Sequence, residues 1–446
     1  MSQPTTAQGP SKSVKKSSFR WIVLGLIFVI YTIATADRAN IGIAMPYLRK
    51  EFAMSNTEAG GIMSLFFLGY VIAMIPGGFL VRKLGVSKIF STFMILTSLF
   101  TGFIGMAGSI MQLKLFRLGV GLSEGPLAVG MPTTINNWFP PREKGLAMGI
   151  FIAASKVGPL IVPILCAWII QTWDWRTIFY AFAVPGIILS VFWLIIVADS
   201  PAKSKFTNAA EVDYINERTP VEEKKKEAKP YNMVWLDKLV RAKTLVRLDT
   251  PKKLFFNWNM MGSAFGYFFM IAITTTMMSW IPTYLVTVKK FAIMKMAFVA
   301  AAPFAGTVLG NVVGGWTADN ILGKRRKPLM MFTALTTAVS MYSLINSPAD
   351  PTLLGIVLFV TGFFLALGFS GFSVYPMGLV TKEVFPVATS ITNTCGQLGG
   401  FCTPLAIGWI LDHYNWDVVF TSLAIGCLIC FCIVATLDEP VDDPLV

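Results

Sequence analysis

The chain has 446 residues, of which 54% are hydrophobic and only 14% are charged. Soluble proteins carry about 25% charged residues, so this composition excludes an ordinary soluble enzyme and indicates a polytopic helical membrane protein. The formal net charge of +13 could suggest nucleic acid as a partner, but most Lys and Arg residues fall in segments that we predict to be cytoplasmic. This is the positive-inside pattern, so we expect membrane lipid and no nucleic acid as a partner.

Apolar segments long enough to cross a bilayer follow a polar, basic N-terminal tail (1–19) that lacks the features of a signal peptide. Residues 20–198 contain six predicted membrane helices, and residues 256–437 contain six more. The sequence therefore predicts an all-α membrane protein with twelve transmembrane helices in two six-helix bundles, and both termini in the cytoplasm. The predicted spans are 20–45, 57–80, 87–108, 110–135, 146–170, 177–198, 256–285, 293–318, 329–347, 353–380, 388–411 and 417–437.

Residues 199–255 form a long hydrophilic stretch that we interpret as a cytoplasmic linker between the bundles, and residues 438–446 form a C-terminal tail. The charged run at 222–227 is interpreted as a solvated surface near anionic headgroups, with docking of a partner as the alternative. The chain has one His and six Cys, without a cluster typical of metal or nucleophilic chemistry. We therefore expect no metal, no cofactor and no enzymatic activity.

Two patterns recur at a nearly constant distance along the chain. A glycine-rich, basic loop that starts at Gly77 after span two is matched by one that starts at Gly314 after span eight, 237 residues later. Trp175 opens span six, and Trp416 opens span twelve 241 residues later. These shifts indicate a duplicated six-helix unit, in which substrate binds near the membrane midplane between the halves.

Five acidic or basic residues lie deep inside predicted spans, at least seven residues from either end, and all are in the first half: Asp37, Arg38, Arg117, Glu124 and Lys156. A charge in the bilayer costs roughly 2.5–3.5 kcal/mol, so it usually faces a partner or a wet cavity. Residues 117 and 124 are seven apart and share one helix face, and depth estimates place Arg117 near Asp37. Two carboxylates and three cations predict a site that holds protons and attracts an anion. The alternative is a set of fixed ion pairs that only hold the helices together.

Several motifs then resemble a known family. The loops after spans two and eight resemble the signature loop of the major facilitator superfamily, although Arg82 stands where Asp is usual. Gating residues in these loops would be Gly78, Gly85, Gly315, Asp319 and Gly323. Further motifs are Asp37-Arg38-Ala39-Asn40, Ile75-Pro76-Gly77-Gly78, Arg117-x-x-x-Gly121, Glu124-Gly125-Pro126, Asn137-Trp138-Phe139-Pro140 and Trp280-Ile281-Pro282-Thr283-Tyr284-Leu285. With these motifs, the chain over about 20–437 resembles the anion:cation symporter branch, and within it bacterial galactonate- and glucarate-type transporters.

The resemblance implies roles for single residues. Asp37 and Glu124 would carry protons, Arg38 would bind the substrate carboxylate, and Arg117 would neutralise Asp37 or assist Arg38. Tyr70 would line the cavity and Asn393 would bond sugar hydroxyls.

Further polar side chains are candidates without a firm counterpart. Ser155 and Ser373 stand where relatives can carry Gln and Trp, and Tyr375 adds a neutral polar group from the second half. Lys156 lies outside the family pattern. It is either a cation–π or snorkelling lysine at a helix interface, or an accessory cation for a second substrate carboxylate.

The function predicted from these observations is proton-coupled symport of a sugar acid (an aldonate or aldarate such as galactonate or glucarate) by alternating access, by a monomer in a bacterial inner membrane. The alternatives are another carboxylate, such as an aromatic acid or a hexuronate, and a sensor that binds substrate without moving it. An organophosphate exchanger is disfavoured because such relatives pair an Arg on span one with one on span seven, and span seven here is uncharged within the membrane.

Overall fold

The computed structural model describes residues 17–216, 233–381 and 383–441, and it is almost entirely helical. The predicted charged run at 222–227 lies outside the described residues. The first six long helices, which we call the N-terminal half, are α1 (Phe19–Glu51), α2 (Asn56–Leu84), α3 (Val86–Met106), α4 (Ile110–Trp138), α5 (Pro141–Thr172) and α6 (Trp175–Ile196). The linker contains a 3₁₀ turn (Pro201–Lys203), α7 (Ala209–Asn216), α8 (Val234–Val240), the two-residue strand β1 (Ala242–Lys243) and α9 (Pro251–Phe256).

The C-terminal half contains eight helices in six membrane-crossing units. They are α10 (Trp258–Ser279), α11 (Ile281–Thr287), α12 (Ile293–Asn320), α13 (Lys327–Ser343, extended by a 3₁₀ turn at Leu344–Asn346), α14 (Pro351–Leu367), α15 (Phe369–Leu379), α16 (Phe385–His413) and α17 (Trp416–Thr436), followed by strand β2 (Glu439–Pro440). The helix–helix architecture confirms the predicted fold class.

Ten helical segments in the described part of the chain are long and apolar enough to cross a membrane. The other two predicted spans correspond to α4 and α16, which are 29 residues each. Both are rich in glycine and proline, which lowers their hydropathy but lets neighbouring backbones approach. Their length matches that of the other spans, so twelve crossings fit the helices observed.

Two spans predicted as single helices are broken in the structure. Span seven divides at Trp280, and the short helix α11 begins at Ile281 with Pro282 in its first turn. Span ten divides at Gly368, whose backbone N–H donates to the Thr333 hydroxyl at 2.6 Å. Breaks of this kind are tolerated in a membrane where side chains satisfy the freed backbone groups. The break at Gly368 separates Tyr375 from the α14 segment, with which it was predicted to form one helix.

Equivalent helix pairs in the two halves pack through glycine. In the N-terminal half, a methyl group on Gly121 of α4 would lie 2.0 Å from the Phe66 carbonyl oxygen of α2. In the C-terminal half, a methyl group on Gly362 of α14 would lie 1.9 Å from the Pro303 carbonyl oxygen of α12. Only glycine permits such backbone contact. The same device at corresponding places supports the duplicated unit indicated by the sequence.

The two halves meet at the end of the helices that lies away from the linker, which we call the distal end. The Asp412 carboxylate on α16 accepts hydrogen bonds from the backbone and side chain of Asn56 (2.9 and 2.8 Å) and of Thr57 (2.8 and 2.6 Å) at the start of α2. A methyl group on Gly60 would lie 2.2 Å from the Pro404 carbonyl oxygen, and one on Gly408 would lie 2.3 Å from that of Asn56. A carboxylate at a helix N-terminus is electrostatically favourable, so this contact closes the distal end.

The first part of the linker is attached to the N-terminal half. Glu211 of α7 is fully buried, and its carboxylate pairs with Arg20 at 2.9 Å. Arg20 also pairs with Glu143 at the start of α5 at 2.7 Å. We call the Glu211–Arg20 contact the first anchor.

The second part of the linker is attached to the C-terminal half. Arg325 pairs with Asp237 of α8 through two hydrogen bonds of 2.8 and 2.9 Å. β1 pairs in parallel with β2, and buried Glu439 accepts from the backbone N–H groups of Arg326 and Lys327 at 2.8 and 2.7 Å. We call the Glu439 contact the second anchor.

Candidate functional site

A cavity of about 360 Å³ lies between the two halves. A volume of this size suits a small organic ligand. Its lining combines helices of both halves: Tyr31, Thr35, Arg38, Phe67, Tyr70, Met74, Ala128, Pro132, Phe151, Ser155, Lys156 and Pro159 from the first, and Tyr267, Ile271, Thr274, Thr275, Met278, Phe304, Thr307, Asn311, Leu365, Ala366, Phe369, Asn393 and Gln397 from the second. From Arg38, the cavity extends towards the linker end along Met74, Pro132 and Asn311. The distal end is closed, so access to the cavity lies at the linker end.

The central polar contact is an ion pair between α1 and α4. Arg38 Nε donates to Glu124 Oε1 at 2.6 Å, and Arg38 Nη2 contacts the same oxygen. The Glu124 side chain is 1% exposed and the Arg38 side chain 14%, so the arginine faces the cavity and the carboxylate lies behind it. Glu124 Oε2 is buried and has no hydrogen-bond partner among the described residues. A buried carboxylate oxygen without a donor can accept a proton without losing a bond.

Asp37 and Arg117 lie beside this pair, but they do not form the ion pair that the depth estimate suggested. Arg117 Nη1 instead donates to the Asp37 backbone carbonyl at 3.1 Å, and Nη2 to that of Arg38 at 3.4 Å. Asp37 Oδ1 accepts from Asn40 Nδ2 at 3.1 Å. Asp37 and Arg117 are both buried and absent from the cavity lining, so they form a second layer behind Arg38.

Two aromatic rings of α2 hold the guanidinium groups in place. The Arg38 Cζ atom lies 4.9 Å from the Tyr70 ring centroid, and the Arg117 Cζ atom lies 4.9 Å from that of Phe66. Phe66 also lies 5.5 Å from Arg38 Cζ, so it contacts both cations. Sequence reasoning missed Phe66, although its spacing of four from Tyr70 places both on one helix face.

Neutral polar groups dominate the C-terminal wall. Asn393, which was predicted to bind hydroxyls, lines the cavity together with Gln397 of the same helix. Ser155 lines it from α5. Besides these three residues and Tyr70, the neutral polar side chains of the described lining are Tyr31, Thr35, Tyr267, Thr274, Thr275, Thr307 and Asn311.

Two predicted contacts lie apart from the cavity. Ser373 is exposed, and its hydroxyl donates to the Ser370 carbonyl at 3.1 Å. Tyr375 is buried, and its hydroxyl donates to the Asp438 carbonyl at 2.5 Å, at the linker end. We do not include these two residues in the proposed substrate contacts.

Lys156 enters the cavity from α5. Its Nζ atom lies 5.1 Å from the ring centroid of Phe369 in the C-terminal half, a cation–π contact between the halves. It has no hydrogen bond or ion pair with any residue that the structure describes. Arg38 and Lys156 are the charged residues of the described lining, and both are cations.

The predicted gating loops adopt tight turns. Gly85 and Gly323 have φ angles of 88° and 55°, which favour glycine. Asp319 pairs with Arg326 at 2.8 Å in the second loop. In the first loop, which carries Arg82, the nearby carboxylate comes from Asp199, which follows α6 and accepts from the Ser87 backbone N–H at 2.9 Å. Sequence reasoning missed Asp199 because it lies 112 residues away in the chain.

A single guanidinium that faces a cavity and is neutralised by one buried carboxylate can switch partners. If Glu124 takes up a proton, Arg38 loses its counter-ion and is left facing the cavity. A carboxylate ligand could then accept two parallel N–H bonds from it. The arrangement therefore suits linked binding of a proton and an organic anion.

The chain is similar to several known transporters over nearly its whole length. The "Probable galactarate/D-glucarate transporter GarP" of Escherichia coli K12 is 28% identical over 429 residues, which is 92% of this chain and 94% of that protein. The "D-galactonate transporter" of Escherichia coli O6:H1 is 26% identical over 428 residues, with 94% and 96% covered. The inward-facing, occupied crystal structure of a bacterial homologue of the human lysosomal transporter Spinster superposes with a TM-score of 0.73 at 15% identity, covering 94% of this chain and 97% of that one.

The family model of the Major Facilitator Superfamily matches residues 27–404 and, in a second match, residues 294–445. The first match alone covers well over half of the chain. The protein therefore belongs to the major facilitator superfamily, and it is a multi-pass membrane transporter and not an enzyme.

Proposed function

We propose that this transporter couples the uptake of a sugar acid, an aldarate or an aldonate, to the entry of protons. The relatives named for galactarate, D-glucarate and D-galactonate transport support the substrate class. The positive-inside pattern supports a bacterial inner membrane with both termini in the cytoplasm. With that orientation the cavity extends towards the cytoplasm and the distal end faces outward.

The observation that carries the proposal is the buried Arg38–Glu124 pair at the cavity wall. Ionised Glu124 and a substrate carboxylate compete for the same guanidinium. Protonation of Glu124 removes the competitor, so it strengthens substrate binding, and bound substrate strengthens proton binding by the same factor. This reciprocity is the thermodynamic requirement for symport.

Asp37 is the second proposed proton site. It is buried next to Arg38 in the sequence, and Arg117 holds the backbone carbonyls of both residues. With both carboxylates ionised, the five charged groups sum to roughly +1, and with both protonated to roughly +3. A doubly protonated site thus attracts an anion more strongly.

The C-terminal wall supplies recognition of hydroxyl groups. Asn393 and Gln397 offer amide donors and acceptors, and Thr274 and Thr275 add hydroxyls. Neutral hydrogen bonds of this kind would distinguish a polyhydroxy acid from a plain carboxylate. Charge and protons are then handled by one half and hydroxyls by the other.

Alternating access requires that the distal contacts open when the linker end closes. The contact of Asp412 with Asn56 and Thr57 would break in that step. The cavity residues of both halves would then face outward to collect substrate. Rocking of one half against the other is the motion typical of duplicated transporter folds.

The test is uptake by purified protein in liposomes. Labelled galactarate, glucarate and galactonate are supplied with and without an imposed pH gradient, acidic on the substrate side. We expect accumulation of at least one sugar acid that disappears when the gradient is collapsed with a protonophore. Binding without accumulation would instead identify a sensor, and accumulation indifferent to the gradient would overturn the proton coupling.

A further inference from the structure

The cavity presents more positive charge than a substrate with one carboxylate needs. The charged residues of the described lining are Arg38 and Lys156, and none of the lining residues is acidic. Glu124 neutralises Arg38 from behind. Lys156 contacts the Phe369 ring but has no carboxylate partner among the described residues. A cation without a counter-ion in a ligand cavity is a binding group for an anion.

The spacing of the two cations suits a ligand that is charged at both ends. α1 and α5 both start at the linker end, and a methyl group on Gly158 would lie 2.4 Å from the Thr35 hydroxyl, which aligns these two positions. Lys156 precedes Gly158 by two residues and Arg38 follows Thr35 by three. At about 1.5 Å per residue, their backbones are about 7–8 Å apart along the helices.

A six-carbon diacid has matching dimensions. Its terminal carboxyl carbons lie about 6 Å apart when the chain is extended, from five carbon–carbon bonds of roughly 1.5 Å. The long, rotatable side chains of Lys and Arg can take up the remaining difference. The hydroxyl groups between the two carboxylates would face Asn393 and Gln397 on the opposite wall.

We propose that Lys156 binds the second carboxylate of the substrate and makes the protein selective for dianionic aldarates over monoanionic aldonates. This inference rests on the proposed transport of sugar acids. Lys156 is available before Glu124 is protonated, so it provides the first contact for the diacid. Arg38 binds the other carboxylate once a proton has neutralised Glu124.

The experiment compares two substrates in one assay. In liposomes, the unmodified protein should have a higher apparent affinity for galactarate than for galactonate. Lys156→Met removes the charge and keeps the length and the apolar stem, so it should weaken galactarate uptake about tenfold or more and change galactonate uptake less than about twofold. Lys156→Arg should retain the preference, which shows that the positive charge is responsible.

Two further variants separate binding from packing. Phe369→Leu removes the cation–π contact but leaves the ammonium group, so the ratio of galactarate to galactonate affinity should persist. Lys144→Met changes a lysine of the same helix at the linker end and should leave the ratio unchanged. Together they show whether the ratio follows the charge at position 156 and not the contact between the halves.

The outcomes separate this inference from the proposed function. Equal effects of Lys156→Met on the two acids, or no preference for galactarate in the unmodified protein, would overturn the selectivity but leave sugar-acid transport intact. Absence of uptake for every sugar acid in the unmodified protein would overturn the proposed function and this inference with it.

Discussion

The two halves repeat the same helices but divide the polar groups unequally. The N-terminal half holds the five membrane-embedded ionisable residues, with Arg38 and Glu124 paired at 2.6 Å. Within the described lining, the C-terminal half contributes uncharged side chains to the cavity, such as Asn393 and Gln397. Both halves use the same glycine contacts for packing. The two halves therefore share their helix packing but differ in the polar side chains that they contribute to the site.

The largest expected effect is the loss of proton coupling in the N-terminal half. Glu124→Gln and Asp37→Asn each remove a proposed proton site, so gradient-driven accumulation should be abolished. At least one variant should keep substrate exchange, because exchange needs no net proton movement. Accumulation and exchange are measured in liposomes, with Asp417→Asn as the control, since Asp417 is an exposed carboxylate of the C-terminal half. Full accumulation by both Glu124→Gln and Asp37→Asn would remove the proton assignment.

A smaller but still large effect is expected for Arg38→Lys. An ammonium group cannot provide the planar pair of donors for a carboxylate, so uptake should fall about 100-fold. The readout is kcat/KM for uptake at saturating proton gradient. Arg82→Lys at the exposed end of α2 is the matched control and should change it less than twofold. Near-normal uptake by Arg38→Lys would place the carboxylate elsewhere.

In the C-terminal half we expect a moderate loss of substrate affinity without a change in proton coupling. Asn393→Ala removes neutral hydrogen bonds, each worth about 0.5–1.5 kcal/mol, so KM should rise roughly three- to tenfold. The dependence of uptake on the pH gradient should not change. Ser390→Ala on the same helix, whose hydroxyl donates to the Pro386 carbonyl, is the control. A changed dependence on the pH gradient in Asn393→Ala would contradict the assignment of proton coupling to the N-terminal half and hydroxyl recognition to the C-terminal half.

The smallest effects concern the two linker anchors, which should respond to pH in opposite directions. Burial raises the pKa of Glu439 to about 7, although the backbone N–H groups of Arg326 and Lys327 lower it. Burial would also raise the pKa of Glu211, but hydrogen bonds from Ser17, Arg20 and Phe19 outweigh burial and lower it.

Because the two pKa values shift in opposite directions, the two anchors lose stability at opposite ends of the pH range. The second anchor is most stable below about pH 4.5 and loses stability as the pH rises towards 7, where Glu439 releases its proton. The first anchor is stable above about pH 4.5 and weakens as the pH falls and Glu211 is protonated. Corrected for the intrinsic rate, hydrogen exchange should show the protection of the second anchor falling between about pH 4.5 and 7, and that of the first anchor falling only below about pH 4.5. Loss of protection by both anchors over the same pH range would contradict this difference.

Much of the fold could be predicted because its signals are periodic and local. Apolar runs located the membrane helices, and the shift between Gly77 and Gly314 indicated the duplication. The breaks at Trp280 and Gly368 were not predicted, because they depend on tertiary contacts such as the bond from the Gly368 N–H to Thr333.

The charged residues that the structure brings together at the candidate site were all named from the sequence, but their pairing was not predicted. Asp37 and Arg38 are consecutive and point in directions about 100° apart around α1, so spacing alone does not reveal which one faces the cavity. The family resemblance implied that it is Arg38. In the structure Arg38 faces the cavity and pairs with Glu124, while Arg117 donates hydrogen bonds to backbone carbonyls. The contact of Phe66 with both guanidinium groups was not predicted, because an aromatic residue in a membrane helix usually belongs to the packed core.

The anchors also bear on how the polypeptide could be divided. Each half carries its own portion of the linker, fastened by a buried acid: Glu211 to the first half and Asp237 to the second. A gene split between codons 216 and 233 would therefore produce two fragments, each with a linker segment that is bound to its own half. Co-expressed, such fragments should reassemble into a working carrier, because the distal contacts and the cavity join them without a peptide connection.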